Sequence, residues 1–77
     1  MKELVQYLAK SLVNDPNAVE VNETTRDDTA IFELKVAKED LGRVIGRQGR
    51  TAKSLRTILN AAASRANRKV VLEIIEE

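Results

Sequence analysis

The chain has no cysteine and no histidine, and only two of its 77 residues are aromatic, Tyr7 and Phe32. Without cysteine there is no disulfide, no thiolate-zinc site and no redox pair. The lack of histidine removes the commonest general base and the commonest metal ligand. Two aromatic rings are too few for a platform on which successive bases stack, so an RRM-like sheet surface is disfavoured. An enzyme is therefore the least favoured class, and we expect no metal and no cofactor.

Long apolar runs are also missing. The longest, such as Val70-Val71-Leu72, fall far short of the roughly 18 residues that cross a bilayer. No apolar segment of signal-peptide type follows the N-terminus. We therefore expect a cytoplasmic protein that does not contact a membrane, and the absence of cysteine permits that location. The length allows one small domain, residues 1–77, that buries about 60% of the surface exposed by its unfolded chain.

The net charge of +1 hides a strong segregation of charge along the chain. Residues 1–40 sum to −4 and residues 70–77 to −3, whereas residues 41–69 carry eight basic side chains and no acidic one. A near-neutral total argues against a nucleic-acid binder. Local fields, however, depend on where the charges lie, because salt screens them beyond about 10 Å. The basic block is thus a candidate anion-binding surface, although a charge run is more often a solvated helix face.

Periodicity predicts the order of the elements. Apolar residues at helical spacing predict a helix over the first 13 residues, which ends at Asn14-Asp15-Pro16 because proline cannot continue it. Alternating residues then predict two strands, around Val19–Thr25 and Ala30–Val36, joined by a polar turn. A short helix follows around Leu41–Ile45.

A longer helix is predicted from Arg50 to about Asn67, and alternation from Val70 to Ile75 predicts a last strand. The inward face of this helix is predicted to consist of Ala52, Leu55, Ile58, Leu59, Ala62 and Ala66. The order of elements predicts a two-layer α+β fold, in which helices cover one face of a three-stranded sheet.

Two glycines three residues apart separate the two helical patterns, in the sequence Gly46-Arg47-Gln48-Gly49. Glycine can adopt positive φ in a sharp turn, and the helix that begins there offers free N–H groups to an anion. The spacing fits neither a P-loop nor a dinucleotide fingerprint. A lone GxxG is usually a plain helix–turn–helix corner. Here the preceding Val44-Ile45 and the following basic helix favour a cradle for a phosphodiester backbone.

These residues carry a resemblance to a known family. Val44 to Gly49, followed by Ala52 and Leu55, resembles the KH-domain signature VIGxxGxxIxxI, and the order of the elements is that of the type II KH fold. Ala52 and Leu55 replace isoleucines of the signature, which affects the shape of the groove for bases. Over essentially its whole length the chain resembles the small single-KH-domain bacterial RNA-binding proteins of the KhpA (YlqC) family.

The resemblance implies a non-catalytic protein that holds single-stranded RNA, as a post-transcriptional regulator or RNA chaperone. In KH domains the GxxG loop clamps the backbone of about four nucleotides. The residues expected to bind RNA are Arg43, Ile45, Gly46, Arg47, Gln48, Gly49, Arg50 and Lys53. Bases are expected beside Val44, Ile45, Ala52 and Leu55, with the second strand as the opposite wall. Packing in the core is an equal alternative for Val44 and Leu55.

Two other functions remain open. Proteins of the resembled family are associated with pairing to themselves or to another KH-domain protein, so a homodimer or heterodimer is expected. Ile31, Val71 and Ile75 are candidate contacts on the strands. A third class is a DNA-binding helix-turn-helix-like domain whose long helix enters a major groove. The three predicted strands and the GxxG loop make this class less favoured.

Overall fold

The computed structural model describes residues 1–76, and within them it has three α-helices and three β-strands. The helices are α1 (Lys2–Leu12), α2 (Leu41–Ile45) and α3 (Arg50–Arg65), and the strands are β1 (Glu20–Arg26), β2 (Thr29–Lys35) and β3 (Lys69–Ile74). Short 3₁₀ turns lie at Pro16–Ala18, Lys38–Asp40 and Arg47–Gly49. The predicted α+β class and the predicted order of helices and strands are confirmed.

The strand β2 lies in the centre of a mixed sheet. It pairs with β1 in antiparallel orientation and with β3 in parallel orientation. Phe32 of β2 faces Glu23 of β1 and Leu72 of β3 across the sheet. The long connection from β2 through α2 and α3 permits this parallel pairing, which a tight turn could not make. Because β3 pairs with β2 alone, it forms one edge of the sheet.

The helices cover one face of the sheet. Ala30, Phe32 and Leu34 alternate along β2 as buried residues, whereas the intervening Ile31 and Glu33 stay partly exposed on the other face. The core between the two layers also contains Val5 and Ala9 of α1, Val44 of α2, and Leu55 and Leu59 of α3. Burial of each large apolar side chain contributes about 1.5–3 kcal/mol, so this single cluster supplies most of the driving force for folding.

Helix α3 ends two residues earlier than predicted. The N–H of Arg68 donates to the carbonyl oxygen of Ala63 at 2.8 Å, and the N–H of Asn67 donates to that of Ser64 at 3.1 Å. Asn67 has a φ of 56°. This left-handed residue and the two hydrogen bonds form a Schellman motif, in which asparagine replaces the more usual glycine.

The predicted inward face of α3 is partly wrong. Its buried residues are Ala52, Leu55, Leu59 and Ala63. Ile58 is instead 44% exposed, and Ala66 is exposed as well. Ile58 precedes Leu59 by one position, and one residue rotates about 100° around a helix, so both cannot face the sheet. Ala63 was missed because the run of alanines at 61–63 shows no contrast of polarity.

Within residues 1–76, no helix combines the length and the apolar character needed to cross a bilayer. The same part of the chain contains no group of three or more acidic side chains placed to hold a metal ion.

Candidate nucleic-acid interface

Gly46 and Gly49 determine the path of the loop between α2 and α3. Gly46 has φ 77° and ψ 173°, a region that is essentially restricted to glycine. A Cβ added there would lie 2.8 Å from the backbone nitrogen of Thr51 and would also overlap the Thr51 side chain. Gly49 has a φ of 74°, but a Cβ at that position would meet open space. Backbone conformation and close packing both require glycine at 46, whereas conformation alone favours it at 49.

The two residues between the glycines project from the loop. Arg47 and Gln48 are exposed, and Gln48 has a φ of 58°, which is uncommon for a residue other than glycine. The N–H of Gly49 donates to the carbonyl oxygen of Gly46 at 3.2 Å. The loop is therefore a defined turn that holds two polar side chains outward at the start of α3.

Basic side chains surround this turn with few acidic partners. Arg50 and Lys53 are exposed in the first turn of α3, and Nη2 of Arg50 approaches Oε1 of Gln48 at 3.5 Å. Among residues 1–76, no carboxylate lies within ion-pair distance of Arg47, Arg50 or Lys53. Their charges are available to an anion in solution, and the structure brings these predicted site residues together at the turn between α2 and α3.

Arg43 has a different environment. Its Nε lies 3.4 Å from Oδ1 of Asp40, a carboxylate whose residue is only 2% exposed. Asp40 also accepts hydrogen bonds from the backbone N–H groups of Asn14, at 3.1 Å, and Asp15, at 3.0 Å. The charge of Arg43 is thus partly compensated. Asp40 joins the end of α1 to the start of α2, and periodicity showed it only as an acidic residue that opens a helix.

The apolar residues of the KH-like signature lie mainly in the core. Val44 is completely buried, and Ala52 and Leu55 are 4% and 6% exposed. Core packing, the alternative left open for Val44 and Leu55, is therefore what the structure shows. Ile45 is half-buried next to the loop and packs against the core, so part of its side chain remains accessible.

The expected wall of the groove is also corrected. The second strand cannot line a groove beside α3, because β2 is central in the sheet and Ile31 faces away from the helices. The strand at the open edge next to α3 is β3. A hollow of about 180 Å³ lies between them, lined by Arg56, Leu59, Asn60, Val70, Val71 and Leu72. Nε of Arg56 donates to the carbonyl oxygen of Leu72 at 3.3 Å.

A helix–GxxG–helix unit packed on a mixed three-stranded sheet, with a further helix and two strands before it, is the architecture of a type II KH domain. The chain belongs to the KhpA/KhpB family of KH-domain proteins, whose family model matches residues 2–74. The expected family is thereby confirmed.

Curated relatives match over nearly the full length. The RNA-binding protein KhpA of Clostridium perfringens is 57% identical over 75 residues, which are 97% of this chain and 100% of that protein. The RNA-binding protein KhpA of Chlamydia trachomatis is 51% identical over 77 residues, which are 100% of this chain and 99% of that one. That of Borreliella burgdorferi is 42% identical over 74 residues, covering 96% and 90% of the two chains.

Solved structures show the same fold within a larger protein. Era in complex with MgGDPNP and nucleotides 1506–1542 of 16S ribosomal RNA superposes with a TM-score of 0.58 at 22% sequence identity, covering 99% of this chain and 30% of that one. Aquifex aeolicus Era Y63A bound to GDP·AlF4⁻ gives a TM-score of 0.57, also at 22% identity, and covers 99% and 31%. The chain thus spans about a third of the length of Era.

Proposed function

We propose that this chain is a non-catalytic protein that binds single-stranded RNA through the Gly46–Gly49 loop and the start of α3. One observation carries the proposal: a turn of defined conformation holds Arg47 and Gln48 outward, beside Arg50 and Lys53, and no described carboxylate pairs with the three basic residues. The names of the relatives as RNA-binding proteins support it.

The proposed mechanism separates backbone contact from base contact. Gly46 and Gly49 let the RNA backbone approach the loop closely, while Arg47, Arg50 and Lys53 bind phosphates and Gln48 donates to them. Ile45 offers apolar surface beside the loop. Arg43 contributes less, because it shares its charge with Asp40. Three or four phosphate contacts correspond to a slope of log affinity against log salt of about −2 to −3 for a single strand.

A double charge reversal in the loop tests this proposal. Arg47→Asp with Gln48→Asp should leave the circular dichroism spectrum unchanged and abolish retention of single-stranded RNA in a filter assay. Arg65→Asp is the matched control, since Arg65 is an exposed basic residue at the other end of α3. This variant should bind RNA almost as well as the wild type. Undiminished binding by the folded double variant would disprove the role of the loop. Stronger binding to duplex DNA at matched salt would favour the DNA-binding alternative.

Such a protein would act on RNA in the cytoplasm, as a post-transcriptional regulator or an RNA chaperone, and would pair with itself or with another KH-domain protein. The uncovered face of the sheet supports pairing, because Val71 is 44% exposed and lies next to the partly exposed Ile31 across the β2–β3 pair. Light scattering after size exclusion, at several protein concentrations, tests self-pairing. Val71→Asp should then shift the equilibrium toward monomer without affecting Arg47 or its loop.

A further inference from the structure

We propose that Asp40 is an internal competitor of RNA. In the free protein it holds the guanidinium of Arg43, and it yields this group to a phosphate when RNA binds, so that it limits how tightly the chain holds RNA. This inference rests on the proposed binding of single-stranded RNA at the Gly46–Gly49 loop, and it adds a residue that lowers affinity. Asp40 was not among the residues that the motif pointed to.

Arg43 differs from the other basic residues around the loop. Among residues 1–76, no carboxylate lies within ion-pair distance of Arg47, Arg50 or Lys53. Nε of Arg43, in contrast, lies 3.4 Å from Oδ1 of Asp40. Opposite charges at such a distance attract each other, and the attraction is stronger where water is partly excluded. A phosphate that takes Arg43 must therefore replace Asp40 as its partner.

The carboxylate of Asp40 is anchored independently of Arg43. The residue is only 2% exposed. Its Oδ1 accepts a hydrogen bond from the N–H of Asn14 at 3.1 Å, and its Oδ2 accepts one from the N–H of Asp15 at 3.0 Å. Each oxygen therefore keeps a backbone donor when the guanidinium leaves, as a buried polar group requires. The ion pair can open while Asp40 continues to join the end of α1 to the start of α2.

Arg43 is the partner that can move. Its side chain is 54% exposed, and 3.4 Å is longer than the roughly 2.7–2.9 Å of a charge-assisted hydrogen bond. The contact with Asp40 is made by Nε, which leaves the four N–H donors of the two Nη groups for another acceptor. Ion pairs that are open to water contribute little to stability. Exchange of the carboxylate for a phosphate is therefore close to balanced.

The pair also lies beside the proposed phosphate site. Arg43 precedes Gly46 by three residues, a rise of about 4.5 Å along a helix. A guanidinium released by Asp40 can therefore turn toward a phosphate held at the loop. The carboxylate that it leaves behind is negative and repels the same strand. Asp40 should thus offset about one phosphate contact, which is worth about three- to fivefold in affinity at about 0.15 M salt.

A double-mutant cycle tests this competition, with affinities for a short oligouridylate measured by fluorescence anisotropy at several salt concentrations. Asp40→Asn should bind about three- to fivefold more tightly at about 0.15 M salt and steepen the salt slope by about 0.7. Arg43→Gln should cost about three- to fivefold more affinity in the Asp40→Asn background than in the wild type, because only the released guanidinium makes a full contact.

Glu39→Gln is the matched control. It removes the same charge from the exposed neighbouring position, so it should raise the affinity by less than about twofold and leave the cost of Arg43→Gln unchanged. Circular dichroism and urea denaturation establish that every variant is folded under the conditions of the binding assay.

Nuclear magnetic resonance of the wild type provides a measurement that needs no change at Asp40. The Nε–H signal of Arg43, assigned by its loss in Arg43→Gln, should shift when the oligouridylate is added. The backbone N–H signals of Asn14 and Asp15 should stay in place, because their acceptor does not move. This result also decides the matter if Asp40→Asn fails to fold.

Two results would overturn the inference and leave the RNA-binding function intact. One is strict additivity of Asp40→Asn and Arg43→Gln in folded variants, which would show that Asp40 acts only through its charge. The other is an Arg43 Nε–H signal that does not move at saturating RNA. If the folded wild type binds no single-stranded RNA at all, the proposed function itself fails.

Discussion

At the scale of single residues, the two loop glycines differ in what their surroundings demand. Gly46 combines a glycine-only conformation with the close approach of Thr51, whereas Gly49 needs only a left-handed φ and has free space around it. A side chain can adopt the left-handed region at a cost of about 1–2 kcal/mol. At Gly46, however, a Cβ would also overlap the backbone nitrogen of Thr51.

The same substitution at these two positions should therefore give different results. Gly46→Ala is expected to lower the free energy of unfolding by about 2–4 kcal/mol, the sum of conformational strain and overpacking. Gly49→Ala should lower it by about 1–2 kcal/mol. Urea denaturation followed by circular dichroism measures both changes. Equal losses would show that Thr51 moves aside and that packing at Gly46 does not matter.

Asp40 is the second residue whose role depends on its neighbours. Its removal leaves the N–H groups of Asn14 and Asp15 without their acceptors. Asp40→Ala should cost about 2–3 kcal/mol of stability, because it removes two hydrogen bonds to an ionised acceptor and the ion pair with Arg43. The control is Glu39→Ala at the exposed neighbouring position, which should change stability by less than about 0.5 kcal/mol. Similar effects of the two variants in thermal and urea denaturation would contradict the role given to Asp40.

At the scale of elements, local sequence explains the turns well. Asp27 and Asp28 join β1 to β2 with φ values of 51° and 66°, the pattern of a type I′ hairpin turn. The polar turn predicted at this place is confirmed. Its type, however, follows from the twist of the two strands, which only the primed turns match.

A glycine in this turn should stabilise the protein. Asp28→Gly relieves a left-handed conformation that aspartate tolerates only at some cost, and we expect a gain of about 0.5–1 kcal/mol in the free energy of unfolding. Asn22→Gly, in the middle of β1, should instead destabilise by about 0.5–1 kcal/mol, because its strand conformation gains nothing from glycine. A loss of stability on Asp28→Gly would mean that the aspartate side chain makes a contact that outweighs its strain.

Helix α3 shows where element-scale reasoning fails. Periodicity placed Ile58 in the core, but the sheet covers only the narrow stripe through Leu55, Leu59 and Ala63. The hydrophobic pattern marks which residues can be buried. The width of the opposing layer decides which of them are.

At the scale of the whole molecule, part of the acidic charge lies on a different face of the molecule from the basic loop. The Cα trace measures 34 × 21 × 19 Å, and the Debye length at physiological salt is about 8 Å. Glu73 is exposed on strand β3, and its register with Glu33 places it on the sheet face opposite the helices. The basic loop lies instead between helices α2 and α3, in the layer that covers the other face of the sheet.

This separation predicts unequal effects of neutral substitutions on RNA affinity. Lys53→Gln should weaken binding several-fold at about 0.15 M salt and lower the salt slope by about 0.7, the loss of one phosphate contact. Glu73→Gln should change affinity by less than about twofold, because its repulsion of phosphate is screened. Titrations at several salt concentrations measure both quantities. An increase in affinity on Glu73→Gln comparable to the loss on Lys53→Gln would show that net charge, and not its placement, governs binding.

The sequence by itself determined the order of the elements, the sharp turn at Gly46–Gly49 and the basic block around it. These features depend on neighbours in the chain: the alternation of apolar residues, the positive φ that glycine permits, and the absence of acidic residues. It did not determine that β3 forms the edge beside α3, that Asp40 is buried under the end of α1, or that Arg56 is anchored to Leu72. Those features join residues that lie 26 positions apart at Asp40 and 40 positions apart between β2 and β3. Only the packing of the two layers brings them together, because no local pattern encodes which strand pairs with which.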